Sequence, residues 1–148
     1  MLKSEEIDLI GRKFTIRTLK YGKAREVYSK LQNILLAYVD DEAASFGAVM
    51  GAMMGGAISD ADFDFIVERF GEETTVVSYV DGKEHVIPRL NKEAREDVFA
   101  GEFQAVFDWL EACIQLNFAG VVKKLEAVKP AVAEAKEKLR AATGLSAA

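Results

Sequence analysis

The sequence predicts an α+β fold: one mostly helical domain over residues 1–148, with a small β-hairpin or sheet and a long C-terminal helix. Three observations carry that prediction. Apolar residues recur at intervals of three and four over 24–38, 63–70 and 103–117, the period of a helix with one buried face. Two β-branched runs flank Asp81-Gly82, a pair suited to a two-residue hairpin turn. The last segment, 119–142, is a Lys/Glu/Ala-rich body with a thin apolar seam, the pattern of a long exposed helix. No internal repeat and no linker divides the chain.

Taken in order, residues 13–19 (KFTIRTL) alternate Phe14 and Ile16 with more polar neighbours, which suits a short half-buried strand. Ala24, Val27, Tyr28, Leu31, Ile34, Leu35 and Tyr38 then mark a helix of about five turns that ends near Asp40-Asp41. Ser59 is placed to cap a helix at Asp62, and Phe63, Ile66, Val67 and Phe70 form its apolar face before Gly71, which is expected to stop it. Residues 74–90 form the hairpin, and Pro88, which has no amide hydrogen, confines the returning strand to a short or edge position. Asn91 opens a brief helix that Gly101 interrupts. In the last segment Val121, Val122, Leu125, Val128, Val132 and Leu139 form the seam, Pro130 starts a new helical piece or kinks the old one, and residues 143–148 should fray.

The central helix, 103–117, carries a single polar line, Gln104, Asp108, Glu111 and Gln115. Phe103, Val106, Phe107, Leu110, Cys113 or Ile114, and Asn117 make one face; Ala105, Trp109, Ala112 and Leu116 make a second at right angles to it. A surface helix buries only one stripe, so this helix must be contacted on two sides. Phe99, Phe103, Phe107 and Leu110 are expected in the core. Trp109 and Leu116, with the small Ala105 and Ala112 beside them, are expected at a subunit or client interface, the competing reading being that Trp109 is an ordinary core residue at the centre of one domain. Met50, Met53 and Met54 are expected as adaptable packing for a partner.

Charge and composition exclude several functions. A net charge of -5 argues against a phosphate-backbone binder, so nucleic acid is not an expected partner. One cysteine, Cys113, cannot form an internal disulfide, and the start MLKSEEIDL has acids where a signal peptide needs an apolar core; the chain reads as cytoplasmic. The uncharged run Ala43 to Ser59 has Gly47, Gly51 and Gly55 in a small-xxx-small spacing. It is short for a span and lacks aromatic or basic flanks, so no membrane role is expected.

Nor do the reactive side chains assemble into a site. Asp60, Asp62 and Asp64 imitate a calcium loop, but Phe65 and Gly71 stand where its glycine and glutamate belong; carboxylates at a helix N-terminus explain them. His85 is the sole histidine, too few for a triad or a metal centre. Cys113 has no basic neighbour on its helix to make it a nucleophile. The expectation is a protein without catalysis, cofactor or metal.

A resemblance adds to this reading. The helix leading into a Thr/Val-rich strand, Phe65 to Val77 (FIVERFGEETTVV), the hairpin before Val98-Phe99-Ala100-Gly101, the aromatic helix with Trp109-Leu110, and Asn117-Phe118 together resemble the tail assembly chaperones of long-tailed bacteriophages, over roughly residues 60 to 120. Where that family often has His before the motif Phe, this chain has Val98. The resemblance implies a factor in the cytoplasm of the bacterial host that binds the tape measure protein, helps recruit tail tube subunits, forms homo-oligomers and is absent from the finished virion. A structural tail or neck component retained in the virion is the alternative.

Overall fold

The computed structural model describes residues 2–40, 45–53, 56 and 58–144. The fold is mostly helical with a small sheet and a long C-terminal helix. The elements are β1 (Ser4–Leu9), β2 (Arg12–Arg17), α1 (Tyr21–Asp40), α2 (Phe46–Ala52), α3 (Asp60–Glu72), β3 (Thr74–Val80), β4 (Lys83–Ile87), α4 (Lys92–Val98) and α5 (Phe103–Thr143). The strands form one antiparallel sheet in the order β1-β2-β3-β4, and α1, α2 and α3 are inserted between its two central strands.

Each hairpin turns on two residues. Asp81 and Gly82 both have positive φ, 52° and 75°, as the expected type I′ turn requires. The first hairpin uses the same turn with a less obvious pair, Ile10 (φ 48°) and Gly11 (φ 70°). It adds β1, which the sequence pattern does not reveal. The pleat then sorts the side chains: Phe14, Ile16, Thr74 and Val76 point to the helices and are fully buried, while Lys13, Thr15, Thr75 and Val77 lie on the other face.

Helix ends follow local chemistry. Ser45, Ser59 and Asn91 cap α2, α3 and α4, their side chains accepting from Ala48 N, Asp62 N and Ala94 N at 3.1, 3.2 and 2.9 Å, which satisfies one orphan amide in each. Gly71 does not stop α3, which runs on to Glu72. It matters for space instead: Leu90 N donates to Gly71 O at 3.0 Å, and a Cβ at residue 71 would collide with Leu90 O.

The first half of α5 lies between two layers, which explains its two apolar faces. Toward the sheet, Trp109 Nε1 donates to Thr74 Oγ1 on β3 at 3.2 Å, and the Trp109 ring meets Phe99 (centroids 5.7 Å apart), which in turn meets Phe14 (6.0 Å). Toward the helices, Phe107 meets Phe63 of α3 at 6.2 Å and Phe118 meets Tyr28 of α1 at 5.8 Å. Trp109, Leu110 and Ile114 have no exposed surface.

At Phe118 the helix breaks its dihedrals (φ -126°, ψ 24°), whereas Pro130 sits inside α5 without a break. Asn117 is the anchor beside the break: its Nδ2 donates to Cys113 O at 2.9 Å and its Oδ1 accepts from Leu19 N at 2.7 Å. A side chain that competes for the helix's own carbonyls is a recognised cause of a kink. Beyond it α5 runs beside α1 in the same direction. Tyr38 Oη donates to Glu126 at 3.2 Å, Lys129 Nζ stands 3.9 Å from the Tyr38 ring centre, and Lys136 reaches Asp40 at 2.8 Å.

Candidate functional site

Three places expected to carry function resolve differently. Trp109 and Ala105, expected to face another chain, are instead buried in their own, at 0% and 5% exposure. The physical reason is the sheet: β1, unforeseen, widens it, and α5 lies across its inner face. Thr74 then completes a small buried polar network, accepting from Trp109 and donating to Phe70 O at 2.8 Å. Cys113 lies beside Thr74; burial pushes its thiol pKa far up, against a smaller opposing effect of the Thr74 hydrogen bond. That keeps it protonated and unreactive.

The methionines follow the same course. Met50 and Met53 belong to the core at 1% and 4% exposure, filling space where α2 meets α1 and α5, so they present no free surface. Met54 lies outside the described residues. Ala112 and Leu116 are half-buried. Leu116 borders a depression of about 520 Å³ with Leu2, Tyr21, Ala119 and Gly120, and there Leu2 and Tyr21 are exposed.

A larger opening lies elsewhere. Between α3, the end of α4 and the start of α5 runs an open groove of about 670 Å³, floored by Phe63, Phe65, Phe99, Phe103 and Val106. Phe103, expected in the core, is 63% exposed here. As the first residue of α5 its side chain leans back past the helix end, and its ring makes an edge contact with Phe107 at 5.5 Å. Phe65 is held from outside by two cations: Arg69 and Lys30 stand 4.8 and 4.9 Å from its ring centre. Arg95 fixes one wall, bonding Leu90 O and Glu68 at 3.0 Å each. The aromatic floor is therefore largely preformed. A sequence signal for it existed in Phe65, which falls off the face defined by Phe63, Ile66, Val67 and Phe70.

For chemistry, the groove offers ion-paired side chains on a rim. Asp60, Asp62 and Asp64 stand in the first turns of α3, not in a loop, and His85 is exposed on the edge strand β4. Among the described residues no group of three or more His, Cys, Asp or Glu side chains is arranged to hold a metal ion. By length and composition α5 could cross a membrane, but it is the core helix of the domain, with 44% of its most apolar window buried. Comparisons with protein-family models, with curated proteins and with solved structures find no match to this chain.

Proposed function

We propose that the protein is a non-catalytic binding factor, a phage tail assembly chaperone that works in the cytoplasm of the bacterial host. It binds the tape measure protein, helps recruit tail tube subunits and uses no cofactor. The open aromatic groove carries this reading. A long client helix exposes an apolar stripe, and four phenylalanines on a preformed floor offer that stripe a matching surface while the charged rim keeps the free protein soluble. The resemblance supports it from another direction, because residues 60 to 120 span α3 to the break in α5 and so include most of the groove's walls. Self-association belongs to the same proposal, through the depression at Leu116, Leu2 and Tyr21.

Co-expression with the tape measure protein tests the reading. The chain should co-purify with that client, and Phe103→Glu, which alters an exposed side chain, should weaken capture by about tenfold or more with little change in melting temperature. Unchanged capture by the variant would remove the groove from the proposal. Mass spectrometry of purified particles addresses the alternative: finding the protein there in stoichiometric amount makes it a retained tail or neck component.

A further inference from the structure

The second half of α5 carries a pattern that the domain uses only at its start. From the break onward Phe118, Val121, Leu125, Val128, Val132, Ala135, Leu139 and Ala142 are spaced alternately three and four, a strict period of 3.5 and therefore a coiled-coil seam. Beyond Phe118 the side chains that tie this half to α1 are on a different face, Glu126, Lys129 and Lys136, with the buried Val122 on the same side, about a hundred degrees around the helix. The seam's first turns touch the domain, Phe118 being buried and Val121 and Leu125 partly buried against the core, and from Val128 onward it opens: Val128 is 44% and Leu139 65% exposed. Pro130 falls at the position farthest from the seam, where it obstructs nothing.

Charge decides what covers it. Residues 119–144 hold six Lys and Arg against three Glu, a local +3 in a chain of net -5. Four of those lysines flank the seam. Lys129 and Lys136 lie on the side toward α1, where Lys136 is tied to Asp40. Lys124 and Lys138 lie on the outer side and are exposed, Lys138 meeting, among the described residues, Glu134 on its own helix, a contact of little strength. A second copy is a poor occupant. Paired in parallel it would set Lys124 against Lys129, and paired antiparallel it would set Lys124 against Lys138; like charges at flanking positions disfavour both. A membrane surface is a poor occupant too, for it calls for a broad face of large apolar side chains, and this seam is one narrow row of Val, Leu and Ala.

We propose that this seam is a second docking surface, which takes one amphipathic helix of a partner protein as a two-stranded coiled coil, and that the partner helix carries Glu or Asp where it meets Lys124 and Lys138. The site is separate from the aromatic groove, and the inference does not depend on the phage reading.

Two synthetic peptides of three heptads test it on the full chain, both with Leu at the seam positions, one with Glu and one with Lys at the flanks. The Glu peptide should bind at least about tenfold more tightly, and added salt should narrow the difference. Val128→Asp with Leu139→Asp should abolish binding at unchanged melting temperature, since both side chains are exposed. Lys124→Glu with Lys138→Glu should reverse the preference. Equal affinity for the two peptides, no binding of either, or binding that survives Val128→Asp with Leu139→Asp would overturn the proposal. So would phosphatidylglycerol vesicles that bind while the Glu peptide does not, or a dimer of this chain that Leu139→Asp dissolves.

Discussion

The two halves of α5 share a helix axis only in name. Before Phe118 the helix is enclosed by a sheet on one side and by α1 and α3 on the other; after it, the contacts with α1 run through Tyr38 and Asp40, and among the described residues little beyond Val122 is buried. Their compositions foretell the difference. The first half has aromatic and branched side chains on two faces and one polar line, so it is stable only where water is excluded from most of its circumference. The second half spends its surface on Lys, Glu and Ala, which favour helix intrinsically but contribute little burial. One segment is therefore helical because of its packing and the other largely because of its residues.

The largest effect should come from the enclosed half. Trp109→Ala removes the biggest fully buried side chain, opens a cavity between α5 and the sheet, and leaves Thr74 without its donor; it should cost about 3–5 kcal/mol. Chemical denaturation of the isolated chain measures it. A loss under 1 kcal/mol would mean that the ring is not enclosed as described, and would return Trp109 to a surface role.

Next in size is the joint between the halves. Asn117→Ala deprives the part-buried Leu19 N of its acceptor at 2.7 Å and should cost about 1–3 kcal/mol, less where water from the neighbouring depression replaces the lost bond. Asn117→Asp keeps an acceptor and should recover part of that loss. If both variants are neutral, the turn before α1 does not depend on this side chain.

How far the sequence foretold all this depends on where a residue's role is local. Ser59, Asn91 and Asp81-Gly82 act on their immediate backbone, and each does what its type predicts. β1 was not legible because its strand, SEEIDL, looks like a solvated leader and its turn places Ile10, a β-branched residue, at positive φ, where Asn or Asp would be expected. Gly71 was legible as special but not in kind, since the collision it avoids is with Leu90, nineteen positions away. The break was expected at Pro130, yet it occurs at Phe118, beside a side chain bonded to a loop almost a hundred residues earlier. The aromatic groove was hidden for the same reason. Phe103 fits the core face by spacing, and only the position of the helix start places it over the edge.

The attachment of the second half to α1 should respond to pH. Burial, with the hydrogen bond and negative charge of Glu126 adding to it, raises the Tyr38 pKa above its ordinary 10.0. The neutral phenol is thus favoured in the folded state, so its contribution is fully present below pH 10 and is lost as pH rises through the raised value. Tyr38→Phe should cost about 1 kcal/mol at neutral pH and flatten that part of the alkaline loss. Hydrogen exchange of the isolated chain gives the local view: amides from residue 131 onward should exchange faster than those of 103–117. Equal protection would show that the second half belongs to the core.

The smallest effect sharpens the contrast most. Leu139 is 65% exposed and, among the described residues, extends past the last ion pair that ties α5 to α1, that of Lys136 with Asp40. Removing its side chain exposes no cavity, and Ala is the better helix former, so Leu139→Ala should change the stability of the isolated chain by less than about 0.5 kcal/mol. Val122→Ala, seventeen positions earlier on the buried face, should cost more, about 1–2 kcal/mol. If the two variants were equally costly, Leu139 would be packed within its own chain and the seam would already be covered. If Leu139→Ala is silent in stability and weakens capture of an acid-flanked helix, its exposure belongs to binding. A large apolar side chain kept in water on an otherwise charged helix then has a physical reason, one that appears only when a second helix is present.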